Sequence, residues 1–71
     1  MFTDDPKAIV EDLVRSGMSQ VAIAAALRED GVEVTQATIN RIKTGVIRRT
    51  GFDIGRALVR LQERRQATAG I

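Results

Sequence analysis

The sequence lacks cysteine, histidine, tryptophan and tyrosine, and aromatic residues make up only 3% of it. Without cysteine there can be no disulfide and no thiolate metal ligand, and without histidine the commonest general base and metal ligand is missing. The carboxylates that remain are scattered, with no pairing suited to acid–base catalysis. We therefore expect no enzyme activity, no metal site and no cofactor.

Long apolar runs are also missing. The longest, Val21 to Leu27, is far shorter than the roughly 20 residues that a membrane-spanning helix needs. The chain begins with the acidic segment MFTDD, where a secretory signal would carry positive charge and then an apolar stretch. These absences predict a cytoplasmic protein without a membrane segment, and the 71 residues suffice for one small domain.

Charge is distributed unevenly along the chain, although the formal net charge is only +2. Residues 1–33 contain three basic and seven acidic side chains, a net charge of −4. Residues 34–71 contain eight basic and two acidic side chains, a net charge of +6. A basic half of this kind favours a polyanionic partner such as nucleic acid.

Capping residues, glycines and apolar spacing predict an all-α fold, a compact bundle of four or five short helices. Three helices are bounded by an N-cap and a glycine: Asp5 to Gly17, Ser19 to Gly31 and Thr35 to Gly45. Thr50 and Asp53 resemble a capping box at the start of a fourth. We expect a single domain over residues 1–65, followed by a frayed or disordered tail over residues 66–71.

The third helix has a short apolar side and a polar outer face. Ile39 and Ile42 define the buried side, and at about 100° per residue the opposite side carries Gln36, Ala37, Asn40, Arg41 and Thr44. Gln and Asn can contact adenine, Arg can contact guanine, and a small Ala lets a helix approach thymine methyl groups. Base contacts are therefore expected from Gln36, Ala37, Asn40 and Arg41, above all from Gln36 and Arg41. The alternative is a solvated face without a partner.

The start of the second helix favours the nucleic-acid hypothesis. Ser19 and Gln20 lie there, where backbone N–H groups and a side-chain amide can bind a phosphate. The helix before a DNA-recognition helix holds the DNA backbone in this way.

These residues form a family pattern. Ser19, Gln20, Ile23, Ala24 and Leu27, followed by VTQATINRIKTG, resemble the helix-turn-helix of lambda-repressor and Cro-type regulators of phages and bacteria. The segment RRTGFDIGRALVRLQER is similar to the helix that follows the recognition helix in small Cro-like proteins. The resemblance implies a lambda-repressor-like bundle with phosphate contacts from Gln20, Lys43 and Thr44. It also places Arg48 and Arg49 where similar proteins touch the DNA backbone.

The connection REDGVE between Leu27 and Val34 departs from the family, because it is roughly five residues longer than the usual tight turn. The run ALREDGVEVTQAT is similar to the amino-terminal domain of arginine repressors, a winged helix-turn-helix. A wing needs two strands after the recognition helix, whereas a basic segment and a helical pattern follow here, so the Cro-like hypothesis ranks first. The acidic residues Glu29, Asp30 and Glu33 are expected to face away from DNA, and a solvated face is expected for Arg56, Arg60 and Arg64.

The leading hypothesis is a sequence-specific regulator of transcription, a Cro-like repressor of double-stranded DNA. Its length leaves no room for an effector domain, so it would act by occupying an operator, and no small-molecule effector is evident. Useful specificity favours a homodimer on a pseudo-palindromic operator with half-sites about 34 Å apart. Val59 with Phe2 or Ile47 is the candidate dimer contact. The rival hypothesis is a helical protein-interaction module, adaptor or antitoxin-like, whose acidic first half docks a basic partner.

Overall fold

The computed structural model describes residues 5–69, with only the backbone described for residues 66–69. This range contains four helices: α1 (Pro6–Arg15), α2 (Gln20–Glu29), α3 (Gln36–Thr44) and α4 (Gly51–Ala69). The predicted all-α bundle is confirmed. No strand occurs within residues 5–69, so the two-stranded wing of an arginine-repressor-like domain is not formed there. None of the helices in this part of the chain has both the length and the apolar content of a bilayer-spanning segment.

The first three helices begin at the predicted N-caps, where a side-chain oxygen accepts a hydrogen bond from a backbone N–H group. The bonds are Lys7 N to Asp5 Oδ1 at 3.2 Å, Ala22 N to Ser19 Oγ at 3.0 Å and Thr38 N to Thr35 Oγ1 at 3.3 Å. Gly45 ends α3 in the left-handed conformation, with a φ of 85°. Local chemistry therefore sets the ends of α3 before any tertiary packing is considered.

The longer connection between α2 and α3 begins as a helix stop. Gly31 adopts a φ of 86°, and the N–H groups of Gly31 and Val32 donate to the carbonyls of Arg28 and Leu27 at 3.0 and 3.1 Å. This is the pattern that closes a helix at a left-handed glycine. Val34 is then buried, and Arg28 Nη1 donates to its carbonyl at 2.9 Å. The connection is fastened at both ends, so its extra length does not release α3 from α2.

One apolar core joins the four helices. It consists of Ile9, Val10, Leu13, Ile23, Ala24, Leu27, Val34, Ile39, Ile42, Ala57, Leu58 and Leu61. Ile39 and Ile42 are fully buried, as predicted. α3 packs against α1 and α2, and within the described range none of its Cα atoms lies within 8 Å of one in α4. The bundle therefore holds α3 from one side.

The start of α4 differs from the predicted capping box. Thr50 Oγ1 donates to the Gly51 carbonyl at 3.2 Å and does not cap Asp53, and Gly51, the first residue of α4, has a φ of 79°, which is not the helical conformation that a capping box places after its N-cap. At the other end of the helix, the helical backbone continues to Ala69. Alanine and glutamine are good helix formers, and no glycine or proline interrupts residues 66–69. The rest of the predicted tail, residues 70–71, lies outside the described residues.

Two arginines attach α4 to the connections between the other helices. Arg64 Nη1 and Nη2 donate to the two carboxylate oxygens of Asp30, each at 3.4 Å. Arg65 Nη2 donates to the carbonyl and hydroxyl of Ser16 at 3.1 and 3.0 Å. Arg56 and Arg60 are exposed, as expected, but Arg64 forms an ion pair and is not simply part of a solvated face. Asp30 is consequently turned toward α4.

Candidate nucleic-acid interface

The outer face of α3 is exposed along its whole length. With Ile39 and Ile42 fully buried, the exposed residues of the helix are Gln36, Ala37, Asn40, Arg41 and Thr44. The four residues predicted to contact bases are thus all exposed on one helix. Lys43, a predicted phosphate contact, is half-buried.

Gln20, the first residue of α2, connects two of these side chains. Gln36 Nε2 donates to Gln20 Oε1 at 2.8 Å, and Gln20 Nε2 donates to Asn40 Oδ1 at 3.3 Å. Gln36 and Asn40 are four residues apart and so lie one above the other on the helix. We call these three hydrogen-bonded side chains, Gln20, Gln36 and Asn40, the amide chain. The sequence predicted only a phosphate contact for Gln20 and gave no sign of this connection.

The amide chain leaves hydrogen-bonding groups available. A primary amide has two N–H donors and a carbonyl with two lone pairs, so each side chain has more capacity than one or two bonds use. Asn40 Nδ2 and Gln36 Oε1 take no part in the chain. An amide N–H and a carbonyl oxygen are the groups that contact N7 and N6 of adenine. The chain therefore orients side chains that can still contact a base.

Arg41 differs from Gln36 and Asn40 because no side chain among the described residues holds it. Within the part of the chain that the structure describes, its guanidinium forms no ion pair, and it is exposed. Its five N–H donors remain available for a planar acceptor pair such as guanine O6 and N7.

The predicted phosphate contacts are placed unequally. Ser19 is exposed, and because its oxygen accepts the capping bond its hydroxyl hydrogen can still donate. Thr44 already donates to the Arg41 carbonyl at 3.3 Å, so a phosphate would have to replace that bond. Arg48 and Arg49 are exposed just beyond α3. Ser19, Arg48 and Arg49 are therefore the best placed of the set.

Charge within α3 and in the segment after it has one sign. Residues 36–49 contain four basic side chains, Arg41, Lys43, Arg48 and Arg49, and no acidic one. Of the acidic residues before α3, Asp30 is paired with Arg64, whereas Glu29 and Glu33 are exposed. Residues 36–49, which comprise α3 and the segment after it, therefore present positive charge and contain no carboxylate of their own.

The candidate dimer residues Val59 and Ile47 are not the most exposed apolar side chains among the described residues. Val59 and Ile47 are half-buried and pack against the core, and Phe2 lies outside the described residues. Val46 and Phe52 are 74% and 77% exposed, and Arg56 lies over the Phe52 ring at 5.9 Å from its centroid. Phe52 does not fit the helical spacing of the α4 core residues. Its exposure could have been predicted from the sequence on that ground.

No family model, characterised protein or solved structure matches this chain in comparisons with known proteins. The resemblance to Cro-type regulators therefore remains a prediction that depends on the residues quoted above.

Proposed function

We propose that this protein is a sequence-specific, double-stranded DNA-binding regulator of transcription, a Cro-like repressor that inserts α3 into the major groove. The observation that carries the proposal is the outer face of α3, where Gln36, Ala37, Asn40 and Arg41 are exposed on a helix fixed by two buried isoleucines. A short helix with amide and guanidinium groups facing outward suits recognition of base edges. As a DNA-binding regulator it would work in the cytoplasm.

Orientation of the side chains supports the proposal further. The amide chain holds Gln36 and Asn40 before any partner arrives, so less side-chain freedom is lost on binding. The exposed hydroxyl of Ser19 and the exposed guanidinium groups of Arg48 and Arg49 flank the helix and can position the backbone phosphates. Phosphate contacts fix the register on the duplex, and base contacts provide the specificity.

One helix contacts few base pairs, so we propose that the protein binds as a homodimer to a pseudo-palindromic operator. Half-sites would lie about 34 Å apart, one turn of DNA. Val46 and Phe52 are the large apolar side chains with most exposure in the described part of the chain; Val46 lies just after α3 and Phe52 lies at the start of α4. They replace Val59 and Ile47 as the candidate dimer contacts.

Selection of bound sequences from a random duplex library tests the proposal. Enrichment of a palindrome, with half-sites one helical turn apart, is the expected result. Affinity should also fall linearly with salt on a double-logarithmic plot, because phosphate contacts release counterions.

If the protein does not bind random duplex even at low salt, the result favours the rival function, an adaptor or antitoxin-like protein-interaction module. Its acidic first half would then dock a basic partner. Duplex binding with no enriched sequence would contradict the regulator as well, since the exposed face of α3 would then not discriminate between bases.

A further inference from the structure

A cleft of about 440 Å³ lies between the amino end of α1 and the carboxyl end of α3. Its walls are contributed by Asp5, Lys7, Thr44, Gly45, Ile47 and Arg48. The cleft thus brings Lys7 to the end of the helix proposed to enter the major groove, although 37 positions separate Lys7 from Thr44 in the sequence.

The glycine that ends α3 explains how Lys7 reaches this position. A Cβ atom built on Gly45 would lie 3.6 Å from Lys7 Cε and 3.8 Å from Lys7 Cδ. The aliphatic part of Lys7 therefore extends along the backbone at the end of α3. This contact places the Lys7 side chain at the cleft that Arg48 also lines.

The negative end of α3 does not prevent anion binding in this cleft. The carbonyls of Arg41 and Ile42 already accept hydrogen bonds from the N–H groups of Ile47 and Gly45, at 3.1 and 3.2 Å. The Asp5 carboxylate also lies here, and it accepts a bond from the Lys7 backbone N–H at 3.2 Å as the N-cap of α1. Thr44 donates to the Arg41 carbonyl, so the two cationic side chains are the groups that would hold an anion.

We propose that Lys7, together with Arg48, binds a backbone phosphate of the DNA duplex, next to the recognition helix. This inference rests on the proposed function and adds α1 to an interface otherwise formed by α2, α3 and the segment after α3. Lys7 was absent from the predicted phosphate contacts, because no local pattern connects residue 7 to the end of α3.

Glu11 competes with the phosphate for Lys7. Lys7 Nζ lies 3.2 Å from Glu11 Oε1, one turn along α1, and the two side chains are 47% and 40% exposed. An exposed ion pair of this kind is weak and is screened by salt, so a phosphodiester can displace the carboxylate.

The opposite end of α1 provides a matched control. Arg15 forms a similar local ion pair with Asp12 at 3.1 Å, and its side chain is 76% exposed. Removing either cation changes the net charge equally, but only Lys7 lines the cleft. Comparing the two variants therefore distinguishes a local phosphate contact from a general electrostatic effect.

The test measures duplex affinity against salt concentration for the full chain and its K7Q and R15Q variants. Loss of one phosphate contact should reduce the slope of log K against log salt by about 0.9 for K7Q, with a much smaller change for R15Q. An R48Q variant should reduce the slope similarly to K7Q. Equal slopes for K7Q and R15Q would overturn the proposal.

The competition by Glu11 is tested with E11Q and its control D12N. E11Q removes the ion-pair partner of Lys7 and should tighten duplex binding by about two- to fivefold more than D12N does. This is the change in affinity expected when an exposed ion pair no longer competes for Lys7. Equal effects of E11Q and D12N would show that only long-range charge matters and would overturn this part.

Two further outcomes are distinguishable. If the unmodified protein binds no duplex at any salt concentration, the proposed function fails; if it binds and K7Q leaves the slope unchanged, only the Lys7 contact fails. Titration with inorganic phosphate, followed by the amide NMR signals of Gly45 and Arg48, tests a free anion as the ligand. Saturation of those signals by phosphate, with no change in the K7Q slope on duplex, would assign the cleft to a free anion and overturn the DNA contact.

Discussion

Neighbouring residues on opposite sides of α3 provide the sharpest test of how this helix is oriented. Ile39 is fully buried in the core, whereas Asn40 is exposed. Truncating a buried isoleucine to alanine costs about 2–5 kcal/mol of folding free energy, because apolar contacts are lost and a cavity remains. A domain of this size is stabilised by about 4–10 kcal/mol, so Ile39→Ala should remove a large share of the total. Asn40→Ala should change it by less than about 0.5 kcal/mol.

Thermal unfolding followed by circular dichroism measures the difference. For a domain of this size 1 kcal/mol corresponds to a shift in Tm of about 4–8 °C. Ile39→Ala should therefore lower Tm by at least about 8 °C, and Asn40→Ala by less than about 4 °C. Ile39→Val, which removes one methylene, should fall between them. Equal shifts for Ile39→Ala and Asn40→Ala would refute the orientation of α3 and, with it, the assignment of its outer face.

Three further predictions concern the interface. Arg41→Ala should weaken binding to the selected operator by about 1–3 kcal/mol and relax preference at one base pair, whereas Lys43→Ala should weaken binding to all sequences alike. Anisotropy titrations with operator and random duplex compare the two variants. Equal losses of affinity on both duplexes for both variants would refute this division of roles. Gln20→Ala and Asn40→Ala should be non-additive on the operator by about 0.5–1.5 kcal/mol in a double-mutant cycle, and simple additivity would contradict a role for the amide chain. Phe52→Ser should raise the dimer dissociation constant at least about tenfold in sedimentation experiments, with little effect on folding because the ring is 77% exposed. An unchanged constant would exclude Phe52 from the dimer contact.

The parts of the fold that were predictable depend on short-range chemistry. An N-cap involves residues two or three positions apart, so Asp5, Ser19 and Thr35 could be identified as helix starts from their neighbours alone. Gly45 could be identified as the end of α3 because a left-handed residue there favours glycine. The burial of Ile39 and Ile42 follows from the 3.6-residue period.

The parts that were not predictable depend on distances across the chain. The amide chain joins Gln20 to Gln36, 16 residues apart, across a connection whose geometry no local pattern specifies. The ion pair between Arg64 and Asp30 spans 34 residues, and charge spacing on α4 alone gave no reason to separate Arg64 from Arg56 and Arg60. The capping box at Thr50 failed locally, since the positive φ of Gly51 overrides the sequence pattern.

The side-chain contacts of α3 indicate which residues on its outer face attract DNA and which discriminate between bases. Gln36 and Asn40 are held by Gln20, so they offer donors and acceptors in fixed positions and would leave them unsatisfied against a wrong base. Arg41 has no such partner within the described residues and, with Arg48 and Arg49, brings exposed positive charge that attracts any duplex. Ordering a long side chain on binding costs about 0.5–1.5 kcal/mol. The amide chain already orders Gln36 and Asn40 in the free protein, whereas Arg41 loses its conformational freedom only when it binds the operator. Base preference should therefore be sharpest at the positions that Gln36 and Asn40 contact, and loss of Gln20 should blur those positions while leaving the preference contributed by Arg41 intact.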